Sequence, residues 1–125
     1  MLLFHVTTAT AAESIREHGL RPAIGPRASQ LGETVPAIYF FTSESALQAA
    51  SDNWLSEAFE DVEEPLVVLV VDVSAQVVRI DPAAAFEAAV TVPVAAAAVV
   101  RAYDIDTGAA FPAGVRTERT RAGGR

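Results

Sequence analysis

Apolar positions along the chain repeat with two different periods, and the places where one period yields to the other predict its elements. Leu2-Leu3-Phe4-His5-Val6 is a short apolar run ending on His5 and Thr7, which predicts a first strand. A helix follows at once. Thr10 opens it in a T-x-x-E capping box with Glu13, Ile15 with Ala11 or Ala12 supplies the inward face, and Gly19 stops it. From Arg21 to Pro36 the chain carries Pro22, Gly25, Pro26, Gly32 and Pro36 among polar residues. That predicts a loop of about fifteen residues, a length associated with binding loops and lids. Ala37 to Thr42 is aromatic and β-branched, so a second strand is expected, with Ser43 capping the helix after it. In that helix Leu47, Ala50, Trp54, Leu55, Ala58 and Phe59 recur at helical spacing, an apolar stripe suited to lying on a sheet.

Pro65 restarts the chain, and Leu66 to Val73 is unbroken β-former apart from Asp72, the mark of a strand covered on both faces. Gln76 to Ile80, Phe86 to Val92 and Ala98 to Ile105 predict further strands, the last two joined through Pro93 and an alanine-rich turn. From Thr107 onward glycine, proline and arginine take over, and order is expected to end; residues 1–110 are assigned to one domain and 111–125 to a disordered basic tail. Helices near the front and strands behind them predict an α+β fold.

Composition narrows the function classes. The 125 residues are 51% hydrophobic, enough for one core. No apolar run approaches the ~20 residues of a membrane span, and the first residues lack the basic start and cleavage site of a secretory signal, so a cytoplasmic, membrane-free protein is expected. With no cysteine, thiolate catalysis, disulfides and zinc-thiolate sites are excluded together, and any nucleophile is oxygen or nitrogen. A net charge of −7 argues against an extended nucleic-acid surface. Glu57, Glu60, Asp61, Glu63 and Glu64 form an acidic knot that reads as a solvated helix end; Arg116, Arg119, Arg121 and Arg125 form the basic tail.

The candidate chemistry begins at His5 and Thr7, at the mouth of a strand, where a side chain can be held rigidly and still reach solvent. The plain alternative for His5 is a half-buried strand residue tied to a backbone carbonyl. Taken in order, Leu3-Phe4-His5-Val6-Thr7, a helix ending His18-Gly19-Leu20, a loop, Ile38-Tyr39-Phe40-Phe41-Thr42-Ser43, a strand ending Asp72-Val73, and Phe86-Glu87 ahead of Val92-Pro93-Val94 resemble the ADP-ribosyltransferase fold. The likeness is closest to its small bacterial toxin-like branch and its His-Tyr-Glu class, and covers roughly residues 2–106.

The resemblance implies a split β-sheet core with two N-terminal helices packed on it, and NAD as co-substrate. It implies that His5 bonds the adenosine-side ribose of NAD and that the main chain at Val6, with Thr7 nearby, meets the nicotinamide amide. Tyr39 would stack on nicotinamide, Ser43 would open the following helix, and Glu87 would be the catalytic glutamate. Members of the family often have glycine where Val6 stands; main-chain contacts survive that change, but the valine side chain narrows the site. Arg27, in the long loop, is the candidate for meeting a pyrophosphate. Asp81, Glu33 and Glu44 rank below Glu87, since Asp81 precedes Pro82 like a turn residue and Glu44 suits the first turn of a helix.

These residue types suit the chemistry on their own account. Breaking a nicotinamide–ribose bond passes through an oxocarbenium-like state that a carboxylate stabilises. A flat cationic leaving group gains ~0.5–2 kcal/mol on an aromatic face. His5 need only be neutral and hydrogen-bond, and no metal is required. The expected activity is therefore NAD-dependent mono-ADP-ribosyl transfer to an acceptor that the sequence does not name, with a neutralising antitoxin among the partners the toxin-like branch implies. The alternatives are a non-catalytic NAD- or nucleotide-binding module of the same fold, or an RNA 2′-phosphotransferase-like activity. The latter relies on arginines around its histidine, and here none occurs before Arg16.

Overall fold

The computed structural model describes residues 1–23, 35–53 and 61–111. Trp54, Leu55, Ala58 and Phe59 of the expected helical stripe, Glu57 and Glu60 of the acidic knot, Arg27 and Glu33 of the long loop, and the arginine tail at 112–125 lie outside the described residues.

Strand β1 (Leu2–Thr8) runs two residues past Val6 because its partner does. Leu2 to Thr8 pair antiparallel, residue for residue, with Asp72 to Leu66 of β3 (Leu66–Asp72). Helix α1 (Ala9–His18) then starts on Thr8, whose hydroxyl accepts from the Ala11 amide at 3.2 Å. The capping box expected on Thr10 and Glu13 is not the one that forms. The Thr10 amide instead donates to Glu64 Oε1 at 2.6 Å. Pairing of β1 with the beginning of β3 carries Glu64 to the positive end of the helix, where a carboxylate is favoured over any local partner. The hydrogen bond from the Thr10 amide accordingly holds the Glu64 carboxyl below its usual pKa.

The helix ends on Gly19 as its sequence predicts, at φ 79° and ψ −173°, a region open in practice to glycine alone. Its amide donates to the Ile15 carbonyl at 2.7 Å, and Leu20 then exchanges two backbone hydrogen bonds with Val94, at 2.8 and 2.9 Å. The backbone passes so close that a Cβ on Gly19 would stand 2.3 Å from the Val94 carbonyl oxygen. Beyond the long loop, Ala23 and Ala37 form an antiparallel bridge, so the loop leaves and re-enters the fold at one point.

Strand β2 (Ile38–Phe41) is followed by helix α2 (Glu44–Asn53), capped as expected: Ser43 Oγ accepts from the Ala46 amide at 3.0 Å. After β3 come the short strand β4 (Val78–Arg79), then β5 (Glu87–Val90) and β6 (Val99–Asp104), separated by single 3-10 turns. The described residues thus form an α+β fold with one six-stranded antiparallel sheet in the order β4-β5-β2-β1-β3-β6 and two α-helices.

Alternation along the strands divides the apolar residues between two faces. Leu3, Ile38, Phe40, Val67, Leu69, Val71, Ala88 and Val90 bury against α1 through Ala12, with Ile15 half-buried at the margin. Phe41, Val68, Phe4 and Val6 bury on the opposite face against Leu47 and Ala50 of α2. The helices therefore take opposite faces, and β3, with Val67 to Val71 all buried, is covered on both sides as its unbroken apolar run predicts.

The end of the chain departs from expectation at Thr107. Asp104 Oδ1 accepts from the amides of Asp106 and Thr107 at 2.8 and 3.0 Å, and the Phe111 amide donates back to the Ala102 carbonyl at 3.0 Å. Residues 107–111 thus fold onto the outer edge of β6, and Phe111 reaches the core. An Asp that closes a turn on its own next residues, followed by a positive-φ glycine at Gly108, is turn chemistry rather than a terminus.

Candidate functional site

The sheet is unevenly joined. β1 and β3 register over seven residue pairs, whereas the recorded register between β1 and β2 is the single pair Phe4 and Phe41. Past that pair, as β1 proceeds toward Thr8 and β2 runs back toward Ile38, the regular pairing of the two strands stops. His5 stands where it stops. Its Nδ1 lies 2.8 Å from the Tyr39 carbonyl oxygen, so a side chain supplies a link where the backbone ladder gives out.

That contact fixes the state of the imidazole. A carbonyl can only accept, so Nδ1 carries the proton, and in the neutral ring Nε2 is left as an acceptor. Burial pushes the His5 pKa below its ordinary value of 6.5, outweighing the opposite pull of the Tyr39 carbonyl, so the ring is neutral at pH 7. Its plane is tilted 60° to that of Phe40, with ring centres 5.6 Å apart. This is the half-buried, carbonyl-tied histidine foreseen as the plain alternative, with one nitrogen still able to receive a donor.

Tyr39 and Glu87 meet through the β2–β5 ladder. Tyr39 pairs with Ala89 and Phe41 with Glu87, so Tyr39 and Glu87 are diagonal neighbours on one face, about 7–8 Å apart at the backbone. It is the α2 face, since Phe41 packs there and Ala88 points the other way. Tyr39 lies beyond the cover of the helix and is 38% exposed, while Glu87 is half-buried. Val6, on β1, looks toward the same face. The fold therefore puts Val6, Tyr39 and Glu87 on a common side of three adjacent strands. It does not bring the His5 ring onto that side: strand alternation turns it toward the α1 face, and it reaches Tyr39 through the main chain.

Of the other residues assigned by sequence, Thr7 is half-buried in β1, paired with Val67, and Ser43 serves as the α2 cap. Arg27 lies outside the described residues.

The chain matches no family model, no curated protein and no solved structure.

Two features went unread in the sequence. Thr42, just past β2, donates through its hydroxyl to the Ala85 carbonyl at 2.8 Å and through its amide to the Phe86 carbonyl at 3.0 Å, both immediately ahead of Glu87. A groove of about 540 Å³ also opens between α2 and β6, walled by Leu47 and Tyr103 and edged by Glu44, Gln48, Asp52 and Asp106. The spacing of Glu44, Gln48 and Asp52, one helical turn apart, could have signalled that polar edge. Tyr103 in its wall has a raised pKa, from burial and then from the Glu44 carboxylate, against the pull of the Arg101 guanidinium 4.7 Å over its ring. Among the described residues no cluster of three or more His, Asp or Glu could hold a metal ion, and no helix is long and apolar enough to cross a membrane.

Proposed function

We propose that the protein is an NAD-dependent mono-ADP-ribosyltransferase of the His-Tyr-Glu type, working where the regular pairing of β1 with β2 stops. The observation that carries the reading is the grouping of Val6, Tyr39 and Glu87 on one face of three adjacent strands, with the His5 ring on the other face tied to them through the Tyr39 carbonyl. The α2–β6 groove is a concavity of about 540 Å³, but Glu44, Asp52 and Asp106 edge it, and carboxylates there repel the pyrophosphate of a dinucleotide.

Each residue has a role its environment suits. Tyr39 offers an exposed ring on which nicotinamide stacks. The main chain of β1 near Val6 lies past the registered β1–β2 pair, Phe4 with Phe41, and there it can exchange hydrogen bonds with the nicotinamide amide. Neutral His5, on the opposite face, holds the Tyr39 main chain through Nδ1 and so helps fix the ring on which nicotinamide stacks; its Nε2 remains an acceptor there, suited to a hydroxyl and not to a phosphate oxygen. Glu87 bonds a ribose hydroxyl and stabilises positive charge at the anomeric carbon as the glycosidic C–N bond lengthens. The bonding pair leaves with nicotinamide, which departs neutral. The acceptor's lone pair forms the new bond to that carbon, and its proton passes to the Glu87 carboxylate or to water.

Nicotinamide release from labelled NAD tests the reading. Turnover by the wild-type protein, lost by at least about a hundredfold in Glu87→Gln with NAD still raising the melting temperature, is the expected result. Saturable binding without turnover would favour a nucleotide-binding module. The absence of any NAD-induced stabilisation would sink both.

A further inference from the structure

We propose that Thr42 is a positioning residue for Glu87, its hydroxyl and amide together clamping the turn from which the carboxylate is presented. The inference rests on the reading of Glu87 as the reacting carboxylate, and adds to it the device that holds that group in place.

Glu87 is the first residue of β5 and the end of its ladder with β2. The β2–β5 register runs from Ile38 opposite Val90 to Phe41 opposite Glu87 and goes no further. Upstream, the chain arrives from the Pro82–Ala84 3-10 turn through Ala85 and Phe86, both exposed, Phe86 by 48%. A terminal strand residue entered from an exposed turn frays readily unless something outside the ladder holds the approach. Thr42 does so twice, with its amide on the Phe86 carbonyl and its hydroxyl on the Ala85 carbonyl. The two carbonyls directly preceding the carboxylate residue are thereby tied to one anchor.

The anchor itself is stiff. Thr42 sits between Phe41, buried under α2, and Ser43, whose side chain caps that helix, so its backbone is held on both sides. Its side chain is β-branched, which limits χ1 freedom and keeps the hydroxyl aimed. Valine has the same shape without the donor. Serine keeps the donor without the second branch. The relation between Tyr39, which is on the same strand as the anchor, and Glu87, which is on the clamped one, is therefore set by these bonds as well as by the ladder.

Thr42→Val and Thr42→Ser, compared with wild type, test the clamp by kinetics and by amide hydrogen exchange. With the hydroxyl removed, kcat for nicotinamide release is expected to fall about tenfold while KM for NAD stays within about twofold, because a misplaced reacting group weakens the transition state and not the bound state. Thr42→Ser is expected to restore kcat to within about twofold of wild type. The residue-42 amide, which donates to Phe86, is expected to exchange faster in Thr42→Val and not in Thr42→Ser. Both variants are expected to melt within about 5 °C of wild type, since the Ala85 carbonyl is exposed and water replaces the lost donor. An unchanged kcat in Thr42→Val, or a loss confined to KM, overturns the positioning role. Wild-type protein that releases no nicotinamide would fail the reading of Glu87 itself, visibly and without any variant. Unchanged residue-42 exchange overturns the clamp whichever way that goes.

Discussion

Replacing His5 by asparagine and by alanine separates the two things its ring does, holding β2 and staying neutral. Alanine loses the bond to the Tyr39 carbonyl, 2.8 Å long in the native protein, and the contact with the Phe40 ring. At about 1 kcal/mol for the hydrogen bond and about 1 kcal/mol for the ring pair, the loss is about 2 kcal/mol at neutral pH. Asparagine carries an amide N–H near the position of Nδ1, keeps the bond, and should cost about half as much. The pH dependence is the sharper part. Burial lowers the folded pKa of His5 below 6.5, so above that pH both folded and unfolded rings are neutral and the titration contributes nothing. Below it the unfolded chain takes up a proton that the folded chain resists, and wild-type stability falls as pH falls. At about one pH unit below 6.5 the ceiling on this loss is about 1.4 kcal/mol, and asparagine, which does not titrate there, escapes it. Urea denaturation of wild type and His5→Asn at about pH 7.5 and about pH 5.5 reads the difference directly, all other titrating groups being common to both. The advantage of wild type over His5→Asn should shrink toward zero at the lower pH. An advantage that stays constant or widens on acidification would refute a buried, neutral, carbonyl-tied imidazole.

Two further substitutions probe the frame around the site. Gly19→Ala meets both a positive φ and a carbonyl oxygen 2.3 Å from the new methyl, so α1 must shift from Val94 and strain its two bonds to Leu20; about 3 kcal/mol or more of stability should be lost by thermal or urea unfolding. Thr8→Ala should cost about 1 kcal/mol as a lost helix cap, whereas Thr10→Ala, which keeps the amide bond to Glu64 and loses only a hydroxyl contact to the same exposed carboxylate, should cost less; equal costs would mean that Thr8 is not the cap.

Local rules read along the chain account for much of the frame. Apolar and β-branched runs predict all six strands of the described residues, because alternation, or its absence in Leu66 to Val71, is set by burial on one face or two. Ser43 and Gly19 were legible as helix boundaries because a capping hydroxyl and a glycine-only backbone act on their immediate neighbours. Thr8 and Thr10 were not told apart, since the choice depends on Glu64, some fifty residues away and delivered by β3.

Residue types suited to the proposed NAD site, and their order along the chain, are legible in the sequence. What the tertiary structure decided is which strands are neighbours, and everything about the site follows from that. Strand order β5-β2-β1 and the register of β2 on β5 set Tyr39 and Glu87 on one face, while the end of regular pairing between β1 and β2 turns His5 into a bridge to a backbone carbonyl. In the sequence Thr42 reads only as the end of the second strand, because a threonine there is ordinary until the turn before Glu87 is laid against it. Patterns of period two and 3.6 specify which face a residue takes within its own element. They carry no information about which element lies alongside, because strand pairing is a contact between residues far apart in the chain, and only the folded sheet expresses it.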